Sequence, residues 1–266
     1  MTDQAKAPPR LEFSAVWSLT GLMLRKLAWP LTAMGLALFV VPNLLFQLAM
    51  NPVLGLLIGS SYEDMDRAVL IARAIGVARM AFPLFTLYLL QAAAARYVFA
   101  QREARKPSIG DSLLFALRRS GAALGLALFV FICTLAGTMF LIVPGLLIWT
   151  AWALAGPVVF LEGLGLNAAL ERSARMTRGN RSLVFAAHLM VAVAMVIVLG
   201  FVPPWVIMWL APALNVAPVA IVVPMSVVLL VAQTVLALVF TAVTVSIYIL
   251  LKGLRQDSQA TAEVFD

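Results

Sequence analysis

Of the 266 residues, 63% are hydrophobic and only 12% charged, and the formal net charge is +7. A soluble domain carries roughly twice that charged fraction, so a chain this apolar would expose more hydrophobic surface than water tolerates, and its expected solvent is lipid. The basic residues lie in short clusters between apolar runs, which excludes an extended nucleic-acid-binding surface and matches the pattern that orients membrane proteins.

About 20 helical residues cross the apolar core of a bilayer. Residues 1–26 read as a cytoplasmic segment containing an amphipathic helix, with Phe13, Val16, Trp17, Thr20 and Leu24 on one face. No A-x-A site follows, and the first apolar run is too long for the h-region of a cleavable signal peptide. The first span is expected at Leu27–Leu48 and the second at Ile75–Val98. A second amphipathic helix follows, opened by a capping box of Ser108 and Asp111, with Ile109, Leu113 and Leu117 on one face. The third span covers Gly121–Val143, and the fourth, short and containing Pro157, covers Gly145–Leu161. A third amphipathic helix begins near Asn167, with Ala169, Leu170 and Ser173 opposite Glu171, Arg175 and Arg178. The fifth span runs Leu183–Val202 and the sixth Ala220–Leu251, long enough to tilt or to extend beyond the bilayer. The expected fold is all-α: a polytopic membrane bundle of about six transmembrane helices over 27–252, with a cytoplasmic tail at 253–266. The spans pair as three hairpins, each preceded by a cytoplasmic interfacial helix.

Lysine and arginine set the orientation. The N-terminal segment carries Lys6, Arg10, Arg25 and Lys26, and the second-to-third connection Arg96, Arg102, Arg105, Lys106, Arg118 and Arg119. Arg172, Arg175, Arg178 and Arg181 lie between the fourth and fifth spans, and Lys252 and Arg255 follow the sixth. The alternate connections are poor in basic residues, so both termini are expected in the cytoplasm. Trp29 and Tyr248 fall near the inner boundary and Trp205 and Trp209 near the outer one, where amphipathic rings are favoured. The segment GLALFV occurs at Gly35–Val40 and again at Gly125–Val130, each inside a span that follows an amphipathic helix.

Few residues offer chemistry. The chain has a single histidine, His188, and no second histidine or intramembrane carboxylate to build a metal site around it. No G-x-S-x-G elbow or P-loop is present, and the single Cys133 sits on a different span from His188. No catalytic residue, metal or cofactor is assigned, and the chain is not expected to be an enzyme. His188 is expected to hydrogen-bond across helices or reach interfacial water. Arg73 and Arg79 lie near the outer end of the second span; they either snorkel to the interface or form an anion or headgroup site with Glu63, Asp64 or Asp66 as competing partners. Prolines at 30, 42, 83, 157, 203, 204 and 224 interrupt the spans or their ends. Gly121 with Gly125, and Ala72 with Gly76, are spaced to let helices approach closely.

The stretch Pro144–Arg181 reads PGLLIWTAWALAGPVVFLEGLGLNAALERSARMTRGNR. Its Pro144-Gly145 start, Trp149, Pro157, Glu162-Gly163, the Ala169-Leu170, Arg172-Ser173 helix and Thr177, Gly179, Asn180 resemble the bacterial membrane proteins called YciC-like, or glycerophosphoryl diester phosphodiesterase membrane domain. The stretch from the proline to the glutamate is one residue longer here than in that pattern. The resemblance implies a polytopic inner-membrane protein. It does not imply hydrolysis, because in fused members a separate soluble barrel carries that activity. Glu162 ends the fourth span and is expected to pair with Arg172, Arg175 or Arg178, or with Arg118 or Arg119, pinning the surface helix. Alternatively, these arginines gather anionic headgroups.

The leading expectation is a non-enzymatic protein of the bacterial inner membrane that interacts with membrane lipids, with other membrane proteins or with itself. The alternatives are a small-solute or lipid transporter using proline-broken helices, with Arg79 and His188 on the path, and a membrane partner of a separately encoded enzyme.

Overall fold

A computed structural model of the chain describes residues 11–58, 65–103, 106–140, 150–214 and 218–263. Every regular element among them is helical. By length and composition they hold four helices able to cross a membrane, or five if one bent pair counts as a single span. The fourth expected crossing lies partly outside the described residues; its described part, Thr150–Glu162, is a shorter apolar helix. The chain divides into two compact units, residues 29–140 and residues 1–28 with 141–266, and each is built around one long helix.

In the first of these, an apolar run comprises α2 (Ala28–Gly35), a π-helical turn (Leu36–Val40) and α3 (Val41–Ile58). It packs on α4 (Met65–Arg102), which also carries α5 (Ile109–Arg118) and α6 (Ser120–Phe140). Around Leu89–Ala95, α4 is buried on every side. The run Ala92–Ala95 explains this, because methyl side chains let neighbouring backbones approach from all directions. Farther along α4, the stacked rings of Phe46 and Phe82 have centroids 4.4 Å apart. The Asn43 amide donates to the Thr86 hydroxyl at 2.8 Å and to the Phe39 carbonyl at 2.7 Å.

The π-helical turn has a local cause. Pro42 has no N–H, and in an α-helix its ring would meet the carbonyl of residue 38; widening the preceding turn relieves that clash. The second copy of GLALFV, with no proline close behind it, is ordinary α-helix within α6. Gly76, Gly121 and Gly125 do not mediate the close packing expected of them: a Cβ added at any of the three would meet no atom within 4 Å. These glycine faces turn outward.

The other unit begins with α1 (Phe13–Lys26), where Val16, Thr20 and Met23 are buried on one face. Trp17 and Leu24, expected on that face, are only half-buried, and Phe13 is 40% exposed. It continues with α7 (Thr150–Glu162), whose last turn, Val158–Glu162, is π-helical, and with α8 (Leu166–Thr177). Next come α9 (Arg181–Met195), a π-helical segment Val196–Phe201 and α10 (Val202–Ala213). Pro203 and Pro204 stand just beyond that π-segment, the same relation as at Pro42. The last helix, α11 (Pro218–Glu263), contacts α1, α7, α8, α9 and α10, and from Thr241 to Ile249 it is buried on every side.

Candidate functional site

Three polar side chains at alternate positions of α11 each meet a different element. Thr244 faces α9: its hydroxyl lies 3.1 Å from Nε2 of the fully buried His188 and 2.8 Å from the Phe240 carbonyl. His188 Nδ1 is 2.8 Å from the Val184 carbonyl. A carbonyl can only accept, so Nδ1 carries a proton, and the imidazole edge rests on Phe240 with centroids 5.2 Å apart. Ser246 points the other way, to α1. Its hydroxyl donates to Met23 Sδ and lies 3.2 Å from the Thr20 hydroxyl.

Tyr248, one turn beyond Thr244, is fully buried and donates to Glu162 Oε1 at 3.0 Å. It is therefore a core residue rather than a member of an interfacial aromatic belt, because the carboxylate gives its hydroxyl a partner inside the protein. Trp29, Trp205 and Trp209 are exposed, as lipid-facing rings would be. The other carboxylate oxygen of Glu162 accepts from Arg172 Nε at 3.2 Å. Lys252 sits over the Tyr248 ring, with Nζ 5.9 Å from the centroid. One carboxylate thus ties α7, α8 and α11 together.

The surrounding sequence is built to hold that carboxylate. Gly163 closes α7 at φ 69°, a left-handed conformation that glycine adopts without a Cβ penalty, and Gly179 does the same after α8 at φ 89°. On α8, Ala169, Leu170, Ser173, Met176 and Thr177 are buried. Ser173 donates to the Ala151 carbonyl at 2.7 Å and accepts from the Leu154 N–H at 3.2 Å, fastening α8 to the start of α7. Thr177 donates back to the Ser173 carbonyl, and Asn180 Oδ1 accepts from the Leu11 N–H at 2.9 Å. Arg175 and Arg178 are exposed; Arg175 pairs with Glu171 at the surface, 3.4 Å away, a kind of contact that stabilises little.

In the α4 unit, the Ser108 hydroxyl accepts from the Asp111 N–H at 3.3 Å and caps α5. The buried face of α5 is Ser112 and Ala116, whereas Leu114 and Leu117 are exposed. Ile109 and Leu113, which share the apolar face with Leu117, are half-buried. Arg118 is exposed. Arg119 and Arg96 both lie over the Phe115 ring, their guanidinium carbons 5.5 Å and 5.7 Å from its centroid. Arg73 is exposed, and Arg79 is half-buried with Nε enclosed. The acidic Glu63 and Asp64, considered as their partners, lie outside the described residues. Among the described residues no three His, Cys, Asp or Glu side chains come together as a metal site would require.

Residues 108–251 match the family described as a domain of unknown function, DUF7847, over more than half of the chain. The chain belongs to the DUF7847 family. No curated protein and no solved structure matches it. The DUF7847 segment starts at the cap residue of α5 and ends inside α11. It therefore includes the Phe115–Arg119 pair, Glu162, both left-handed glycines, His188 and Tyr248.

Tyr248, Thr244, Lys252, Arg96 and Phe115 had not been singled out as site residues. The signal available for the first two was a set of polar residues, Thr241, Thr244, Ser246 and Tyr248, crowded into one otherwise apolar run. In lipid such residues face protein partners.

Proposed function

We propose that this is a non-enzymatic, multi-pass protein of a bacterial cytoplasmic membrane that engages anionic lipids through its surface helices. In this reading the chain crosses six times as three hairpins, both termini are cytoplasmic, and the fourth crossing includes 145–161. The relation to the YciC-like group belongs to the same proposal. Its support is that the residues carrying the resemblance, Glu162, Gly163, Ser173, Thr177, Gly179 and Asn180, all have structural tasks in the fold.

The observation that carries the lipid reading is a repeated arrangement. Each of α1, α5 and α8 is a short amphipathic helix with exposed basic residues, and each breaks before an apolar helix begins. Between α5 and α6 the break turns the chain by 63°. Arg25, Lys26, Arg118, Arg175 and Arg178 are exposed near these breaks, where an anionic leaflet attracts each by about 1 kcal/mol.

The test is native mass spectrometry of the intact protein released from nanodiscs of mixed phosphatidylcholine and phosphatidylglycerol. Preferential retention of the anionic lipid is expected. Retention in proportion to bulk composition would refute the lipid reading. The topology is tested separately by thiol labelling of single cysteines placed at 106 and 178, both expected to react only from the cytoplasmic side.

A further inference from the structure

A threonine in an apolar helix has a partner at hand, because its hydroxyl can donate to the carbonyl four residues back. Among the described residues, Thr20, Thr86, Thr177, Thr234 and Thr244 all do so, at 2.7–3.3 Å. Thr241 does not. It is 1% exposed, and its hydroxyl oxygen is enclosed with no hydrogen-bond partner among the described residues. We propose that Thr241 binds a buried water molecule inside the unit built around α11. The proposal is independent of the lipid reading and survives its failure.

An enclosed, unpaired hydroxyl gives up its hydrogen bonds to solvent and gains none in return, and the bilayer interior offers no bulk water to replace them. In a helix the threonine side chain has a rotamer that reaches the carbonyl four residues back. Thr241 leaves the Ala237 carbonyl aside, and that orientation calls for another partner. The same face of α11 supplies the further contacts that a buried water needs. Thr241, Thr244 and Tyr248 are spaced by three and four residues and so share one face of the helix. Side chains at such spacings stand about 5–6 Å apart, a gap that one water bridges with two hydrogen bonds. The Thr244 hydroxyl has one proton to place on the Phe240 carbonyl or on His188 Nε2, and its oxygen keeps acceptor capacity. The Ala237 carbonyl keeps a second lone pair beyond its helical bond. A water that accepts from Thr241 and donates to Thr244 and to Ala237 uses all three groups.

The test is radiolytic hydroxyl labelling of the full-length protein in nanodiscs, read by mass spectrometry. Radicals formed from an internal water oxidise side chains that bulk solvent does not reach; His188, fully buried and bonded to Thr244, is the reporter. Wild type should take up oxygen at His188. Thr241→Val, which keeps the shape and drops the hydroxyl, should lose that label, and Thr241→Ser should keep it. Thr234→Val, whose hydroxyl already bonds to the Leu230 carbonyl, should leave it unchanged. A variant that merely loosened the bundle would admit bulk water and raise the label, the opposite of the expected result. An unlabelled His188 in wild type, equal labelling in Thr241→Val, or an equal loss in Thr234→Val would overturn the site. Thermal unfolding gives a second readout. The unfolding temperature of Thr241→Val should fall; a rise would also overturn the site, because discarding a hydroxyl that has no partner is stabilising.

Discussion

The two units bury a long helix by opposite chemistry. Around Leu89–Ala95, α4 is enclosed by closeness: four consecutive alanines leave room for neighbours on every side. Around Thr241–Ile249, α11 is enclosed by ties, with Thr244, Ser246 and Tyr248 each bonded to a different element. In lipid the apolar effect does not drive helices together, because acyl chains are as apolar as leucine. Packing density and hydrogen bonds remain, and each unit leans on one of them. The first should fail when bulk is added, the second when a polar tie is removed.

The largest effect is expected at Tyr248. Replacing it with alanine removes a fully buried ring and strands Glu162 without its hydroxyl donor. Tyr248→Ala should cost about 3 kcal/mol, whereas Tyr248→Phe, which keeps the ring and loses only the hydrogen bond, should cost about 1 kcal/mol. Reversible unfolding in mixed micelles measures both. Equal costs would mean that the tie, and not the ring, holds α11.

Next in size is the complementary test in the α4 unit. Ala93 is fully buried within the alanine run, and Ala93→Leu should destabilise by about 2 kcal/mol through overpacking. In an apolar span the same change would pass unnoticed by composition. A neutral result would show that α4 has slack around it, and the contrast between the units would collapse.

Asn43→Ala should cost less, about 1 kcal/mol or below, as interhelical hydrogen bonds in membranes generally do. The amide donates to Thr86 on α4, but also to Phe39 on its own helix. Part of its value is therefore local, repairing the π-helical turn before Pro42. Unfolding of Asn43→Ala and Asn43→Ala/Thr86→Ala separates the two parts: the second substitution should add little once the first is made.

How far the sequence disclosed this structure differs between the same regions. The amphipathic helices were legible from capping and charge, because Ser108 and Asp111 or the Gly163 and Gly179 boundaries are local signals. The Glu162–Arg172 pair was among the alternatives open from spacing alone; only folding could choose it over the other arginines. Tyr248 was misread because an aromatic near a span end has two homes, the lipid interface and a buried polar partner, and the carboxylate that decides between them lies 86 positions away in the chain. The two GLALFV copies make the same point: identical letters form a π-turn before Pro42 and α-helix in α6. What a hexapeptide becomes depended on the residue two places beyond it.

The smallest expected effect concerns the glycines that sequence spacing suggested as contact points. Gly125 lies in α6 with nothing within 4 Å of an added Cβ, so Gly125→Ala meets no steric obstacle inside the chain. Alanine also holds helical conformation better than glycine, by roughly 0.5–1 kcal/mol in water, and part of that gain should survive in a bilayer. Unfolding should therefore show a neutral or slightly stabilising change. A loss of stability that grows as the protein is concentrated in the micelle would reverse the argument, since it would place a second copy against this outward face. A loss independent of concentration would instead mean that α6 packs more tightly than its open glycine face indicates, and the outward assignment of Gly121 and Gly125 would fall together.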